Sequence, residues 1–168
     1  MSMTHYMALL AANQPWNLLI FMAVPVILAE TVAITELYLL FTRKLNGAVH
    51  RINRAASIVG GVYFSGIFVY LMATAVVPLT QQGGWLGAAD VIAVGFYLSG
   101  IIPLGGLALL DLGLIGRKRD AESRLRLHAV LVAVFLVVAH VAMIFGMLDP
   151  SLLMSHAPDM GGMEGMPH

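Results

Sequence analysis

Four ionisable side chains lie inside stretches of the chain that are otherwise apolar: Glu30, Glu36, Asp111 and His140. Such groups cost free energy inside a lipid bilayer and usually mark a function. At about 1.5 Å per helical residue, Glu30 and His140 both lie roughly 20 Å from the nearest run of basic residues, and the other two roughly 10 Å from it. The sequence therefore predicts two polar layers, Glu30 with His140 near mid-membrane and Glu36 with Asp111 below.

These residue types fit several kinds of intramembrane site. Carboxylate and imidazole groups at matched depths are typical of a metal path, a proton relay or a cofactor pocket. The alternative is structural, because buried polar pairs also hold helices together. Depth alone does not separate these alternatives, and equal depth does not establish contact.

A haem bound between helices needs two axial ligands at one depth. His128 and His140 lie on one predicted helix, about 18 Å apart, so they cannot clamp the same haem. His50 lies at roughly the depth of His128 and could pair with it, and His140 could pair with a methionine of another helix. A haem b therefore remains an alternative cofactor with poor ligand geometry.

Methionine and histidine recur along the last predicted helix and beyond it. His140, Met143 and Met147 follow i, i+3, i+7 spacing and share one helix face. Thioether sulfur selects Cu(I), and imidazole also suits copper. The alternatives are ordinary core packing for the two helical methionines and a tail of biased composition. We expect a copper path that continues into the tail residues Met154, His156, Met160, Met163, Met166 and His168.

The composition indicates how these residues are positioned. The chain has 168 residues, of which 60% are hydrophobic and 11% charged, and this is too apolar for a soluble domain. Four stretches are long enough to cross a bilayer as helices. We predict an all-α, polytopic membrane domain over residues 1–150, a four-transmembrane-helix bundle with spans at about 16–41, 55–77, 88–115 and 127–148, followed by a flexible tail over 151–168.

The charge distribution predicts the direction of the helices. The nine basic residues occur only between spans one and two and between spans three and four. By the positive-inside rule these loops are cytoplasmic and both termini are periplasmic, in a bacterial inner membrane. The formal net charge is zero, so nothing indicates a nucleic-acid partner, and the absence of cysteine excludes disulfides and thiolate metal sites.

Small residues recur at four-residue spacing in the middle spans, as at Gly61 with Ser65 and at Gly95 with Ser99. This spacing allows close approach of helices, either inside the bundle or between copies of the chain. Because four short helices enclose little room for a pathway, we expect a homo-oligomer.

Three stretches carry a resemblance to a known family: NQPWNLLIFMAVPVILAETVAITELYLLF, ADVIAVGFYLSGIIPLGG and HAVLVAVFLVVAHVAMIFGMLDP. They resemble a family of small bacterial four-span membrane proteins that commonly carry the label "permease". The resemblance extends nearly to Pro150, includes the four intramembrane polar residues, and leaves out the Met/His tail. It implies a membrane protein with a transport role and transfers no catalytic residue.

No HExxH, GxSxG or phosphate-binding loop occurs in the chain, which favours transport or metal binding over catalysis. The leading prediction is an inner-membrane protein that binds and moves a transition-metal ion, copper first, with lipid and the metal as partners. The tail would capture the ion, and the intramembrane Glu, His and Asp residues would complete the site or move compensating protons. The alternatives are a haem- or quinone-binding redox subunit and a structural accessory subunit.

Overall fold

The computed structural model describes residues 3–44 and 46–149, and within these ranges every regular element is a helix. A short helix comes first, α1 (His5–Ala11). Four long helices follow: α2 (Trp16–Thr42), α3 (Ala48–Gln82), α4 (Ala88–Asp111) and α5 (Ala121–Met147). Each long helix is long and apolar enough to cross a membrane, which confirms the predicted all-α class and the number of apolar helices.

Two of the long helices begin earlier than their apolar stretches. Helix α3 begins at Ala48 instead of 55, and α5 begins at Ala121 instead of 127. Asp120 caps α5, since its Oδ2 accepts a hydrogen bond of 3.1 Å from the backbone N–H of Ser123. The side-chain and backbone hydrogen bonds from Ser123 also hold the pKa of Asp120 below its usual range. Helix capping, and not hydrophobicity, therefore sets where α5 starts.

The four long helices pack in chain order, α2 on α3, α3 on α4 and α4 on α5, whereas α5 touches α2 only sparsely. The α2–α3 and α4–α5 connections lie at one end, where Nη1 of Arg43 is 3.7 Å from Oε1 of Glu122. We call this the basic end and the opposite one the far end. The sparse contact leaves a groove between α2 and α5.

Backbone carbonyls of α2 near a proline accept hydrogen bonds from two other helices. Pro25 has no N–H, so the carbonyl of Phe21 four residues earlier is free to accept another donor. The Tyr97 hydroxyl on α4 donates to that carbonyl at 2.6 Å. The Tyr63 hydroxyl on α3 donates to the carbonyl of Ile20 at 3.0 Å. The helix is locally widened over Leu19–Ala23, and these two bonds link it to α3 and to α4.

Helix α1 covers the far end through buried polar contacts. The Thr4 hydroxyl donates to the carbonyl of Gly146 at 2.8 Å, at the end of α5. The backbone N–H of His5 donates to Oδ1 of Asp90 at 2.7 Å, and the His5 ring lies 2.5 Å from Oδ2. Asp90 is fully buried at the start of α4, so α1 joins two long helices.

An apolar layer fills the middle of the bundle, with side chains from all four long helices: Ala29, Val32, Ala56, Phe64, Leu104, Leu107, Val132 and Phe135. Helices α3 and α4 approach most closely at Gly61. A Cβ there would lie 2.5 Å from Cβ of Ala108 and 2.7 Å from the carbonyl oxygen of Leu104. Gly61 thus serves internal packing, whereas a Cβ at Gly95 would meet nothing within 4 Å.

We expect Gly61→Ala to destabilise the bundle by about 1–3 kcal/mol, because the added methyl group meets backbone that cannot move aside. The matched control is Gly66→Ala on the same helix, where a Cβ meets nothing within 4 Å. That change should leave stability unchanged or raise it slightly, since Ala favours helix more than Gly. Thermal denaturation in detergent, followed by circular dichroism, measures both. Equal melting temperatures for the two variants would contradict the close approach at Gly61.

Candidate functional site

Three ionisable side chains from three helices meet near the basic end. His128 on α5 lies between Glu36 on α2 and Asp111 at the end of α4, and all three are buried. Nδ1 of the ring is 2.7 Å from Oε2 of Glu36, and Nε2 is 3.1 Å from Oδ2 of Asp111. The Asp111 contact is a hydrogen bond, whereas the Glu36 contact is a close ion pair whose direction departs from hydrogen-bond geometry. We call these residues the carboxylate–histidine cluster.

Helix α3 supplies neutral donors to both carboxylates. The Ser57 hydroxyl donates to Oδ2 of Asp111. The Asn53 amide lies 3.3 Å from Oε2 of Glu36 and 2.9 Å from the Thr35 hydroxyl. Buried carboxylates need such donors, because an unsolvated charge is costly. Three long helices therefore supply the cluster residues, and the fourth, α3, supplies donors to them.

A cavity of about 340 Å³ at the basic end adjoins the cluster. Its lining includes all three cluster residues together with His50, Arg54 and Arg124. One nitrogen of the Arg124 guanidinium donates to the carbonyl of Leu110 at 2.9 Å, which holds that charge beside the cavity. Oε1 of Glu36 and Nδ1 of His50 are buried without a hydrogen-bond partner in the described part of the chain. Two residues with an unpartnered buried polar atom, Glu36 and His50, therefore line this cavity together with two arginine side chains.

The ring orientation determines which chemistry the cluster supports. The carboxylates approach opposite edges of the imidazole, so one metal ion cannot reach all three groups through a single ring nitrogen. Within residues 3–44 and 46–149, no three His, Asp or Glu side chains form a group that could hold a metal. By contrast, an imidazole with a carboxylate at each nitrogen can take a proton from one side and release one to the other.

The two predicted polar layers have different outcomes. Glu36 and Asp111 are brought together, through His128. Glu30 and His140 line one cavity but form no hydrogen bond or ion pair with each other. Both are exposed on the bundle surface, and Nδ1 of His140 contacts the carbonyl of Leu136 on its own helix at 2.6 Å. Equal depth thus did not distinguish the pair that meets at a shared histidine from the pair that only lines a common cavity.

The predicted metal ligands at the far end are only partly described. Met143 and Met147 are 37% and 70% exposed, so these side chains do not fill the core. With His140 they form an exposed stripe on α5. The other predicted ligands lie outside the described residues: Met154, His156, Met160, Met163, Met166 and His168. Copper binding stays a prediction.

The haem alternative requires a free ring nitrogen on both His50 and His128. His50 and His128 do line the same cavity. Both ring nitrogens of His128, however, already contact carboxylates. An axial haem ligand needs a free ring nitrogen, so His128 does not fit that role in this arrangement.

From the sequence, His128 was considered only as a possible haem ligand, and Asn53 and Ser57 were not included in a site. The cause is the predicted starts of the helices. With α5 beginning at Ala121, His128 lies about 10 Å inside the helix, at the depth of Asp111. The available signal was Asp120 with Ser123, a helix N-cap pattern, followed by Glu122 and Arg126 at i, i+4 spacing.

Residues 1–162 match the model of DUF6803, a family of unknown function. No curated protein and no solved structure matches the chain. The family description states no activity, so the transport role implied by the label "permease" stays a prediction.

We expect His128→Leu to lower the free energy of unfolding by about 3–5 kcal/mol, because it leaves two buried carboxylates without their shared partner. The triple variant Glu36→Leu, Asp111→Leu, His128→Leu should recover most of that loss, since no uncompensated charge remains. Denaturant titration in mixed micelles measures both. A single variant as stable as the wild type would mean that the cluster is not formed as described.

Proposed function

We propose that this chain, which belongs to the DUF6803 family, carries protons across a membrane through the carboxylate–histidine cluster. The observation that carries the proposal is one buried imidazole with a carboxylate at each ring nitrogen, next to a cavity at the basic end. Apolar residues of similar volume often stabilise a protein as well as a buried ion pair does. Three ionisable groups beside a cavity therefore favour a functional site over a contact that only holds the helices together.

The proposed orientation follows from the basic residues. The positive-inside rule puts the basic end in the cytoplasm and the far end, with both termini, on the opposite side. In a bacterial inner membrane that side is the periplasm. The cavity would then open toward cytoplasmic water, from which the cluster takes protons or to which it releases them.

The proton transfer uses only groups in the cluster and water in the cavity. Oε1 of Glu36, which has no partner among the described residues, takes a proton from a hydronium ion in the adjoining cavity, which leaves a neutral water there. Rotation of the protonated Glu36 carboxyl group turns this proton toward Nδ1 of His128, which takes it as the proton on Nε2 moves to Oδ2 of Asp111. Each transfer breaks one N–H or O–H bond and forms another, so the ring changes the side on which its proton is carried.

The apolar layer favours a carrier over an open channel. Val32, Leu107 and Val132 belong to the layer between the cluster and the cavity at Glu30 and His140. A proton cannot hop through such a layer, because the layer offers no donor or acceptor. We therefore propose a carrier, in which helices move between proton uptake and release, and not an open channel.

The test is proton entry into lipid vesicles that contain the full-length protein and an internal pH-sensitive dye. An imposed potassium diffusion potential drives the flux. Protein-containing vesicles should acidify faster than empty ones, and Glu36→Gln should slow the protein-dependent rate by roughly tenfold or more, because Gln cannot take up a proton. Glu122→Gln is the matched control, since Glu122 is half-exposed at the basic end and pairs with Arg126. Its rate should stay within about twofold of the wild type.

Two results would contradict the proposal. One is an equal protein-dependent rate for Glu36→Gln and Glu122→Gln. The other is a wild-type rate no higher than that of empty vesicles. A stability measurement on each variant shows whether a lost rate reflects misfolding.

A second candidate function is movement of a soft metal ion, copper first. It is favoured by the composition of the tail, together with the stripe of His140, Met143 and Met147 on α5. Thioether and imidazole ligands suit Cu(I). In this alternative the tail captures copper and the carboxylate–histidine cluster moves the compensating proton.

Elemental analysis and a visible spectrum of detergent-purified full-length protein test the copper alternative. We expect copper to copurify and to be lost when the four tail methionines are changed to Leu, because Leu keeps the volume without the sulfur. Loss in His140→Ala as well would extend the path into the bundle. No copper in the wild type would contradict this candidate, and a Soret band would favour the haem alternative.

A further inference from the structure

A second cavity lies between the middle of the bundle and the far end, in the groove between α2 and α5. Its volume is about 230 Å³. The apolar layer separates it from the carboxylate–histidine cluster, and the two cavities share no lining residue. Any ligand of this cavity would therefore bind apart from the proposed proton site.

Four aromatic rings line this cavity, those of Tyr6, Phe64, Tyr97 and Phe135. The ring centroids of Tyr6 and Tyr97 are 5.0 Å apart, and those of Phe64 and Tyr97 are 5.3 Å apart. Burial raises the pKa of Tyr6 to about 12, so its phenol is uncharged at neutral pH. Aromatic faces carry partial negative charge and attract cations.

The polar atoms of the cavity are mainly acceptors. Glu30 has no hydrogen-bond or ion-pair partner in residues 3–44 and 46–149, which leaves both carboxylate oxygens free. Nδ1 of His140 must donate to the Leu136 carbonyl, because a carbonyl only accepts, which leaves Nε2 for a ligand. The Tyr97 hydroxyl already donates to the Phe21 carbonyl, so its oxygen keeps only accepting capacity.

We propose that this cavity binds a lipophilic organic cation with N–H donors, a protonated amine that carries an apolar or aromatic group. Glu30 supplies the counter-charge, Nε2 of His140 accepts a second hydrogen bond, and the aromatic rings pack on the apolar group. Both Glu30 and His140 are exposed on the bundle surface, so the ligand enters sideways from the lipid.

This donor and acceptor pattern separates the amine from other intramembrane ligands. A quinone presents carbonyl oxygens, which the Tyr6 hydroxyl could meet, but it has no N–H donor for the Glu30 side chain or for Nε2 of His140. An amine has such donors. A metal ion needs several ligands close together, and the described residues contain no such group of three His, Asp or Glu side chains. The inference does not depend on proton exchange at the carboxylate–histidine cluster.

Equilibrium dialysis of radiolabelled 4-phenylbutylamine against full-length protein in detergent tests the proposal. We expect saturable binding of about one molecule per chain, because the cavity holds one unpaired carboxylate. Glu30→Gln should weaken binding roughly tenfold or more, since it removes the counter-charge, and His140→Ala should weaken it by a smaller factor. The matched control Glu122→Gln, outside the cavity, should bind as the wild type does.

A neutral analogue, 4-phenylbutan-1-ol, separates specific binding from partition into detergent. It should compete poorly with the amine, since it has no charge for Glu30. Equal competition by the alcohol, or wild-type affinity in Glu30→Gln, would overturn the proposal. Glu30 is exposed, so its substitution should not unfold the chain, and a melting curve of the variant verifies this.

Discussion

Two buried carboxylates at opposite edges of the His128 ring constrain how the helices meet at the basic end. A charge removed from water needs a partner in a fixed position, so α2, α4 and α5 can pack there only in a register that brings these three groups together. Helix α3 is included in the same constraint through Ser57 and Asn53. The contact therefore fixes the relative height and rotation of all four long helices.

The far end is organised by a different set of contacts, and the two ends are separated by apolar side chains. The Asp90 carboxylate accepts a hydrogen bond from the His5 backbone N–H and contacts the His5 ring. The Thr4 hydroxyl donates a hydrogen bond to the carbonyl of Gly146. These contacts hold α1 over the ends of α4 and α5. Between the two ends, the apolar layer keeps the polar groups of each half from meeting. This separation is compatible with a carrier, in which only one side is accessible at a time.

Much of the helical framework could be predicted from the sequence, because the lengths of the apolar stretches and the positions of the basic residues between them can be read directly from it. Depth counting also placed Glu36 with Asp111 and Glu30 with His140 along the helix axes. Depth says nothing about rotation about those axes. It therefore could not show that Glu30 and His140 share a cavity without touching. Helix α1, with seven residues, is too short to be stable alone and depends on tertiary contacts. His128 was not assigned to the layer of Glu36 and Asp111, because hydrophobicity does not show where a capped polar turn extends a helix.

The most direct test of the central claim is the exchange of the His128 ring protons with solvent. Full-length protein with ¹⁵N-labelled histidine is placed in lipid nanodiscs, and the His128 ring N–H signals are identified by their loss in His128→Gln. The account predicts that these signals disappear within the time of mixing with D₂O, because the cluster exchanges protons with the water of the adjoining cavity. Ring N–H signals that persist for hours would contradict it, and would make the cluster a sealed structural contact.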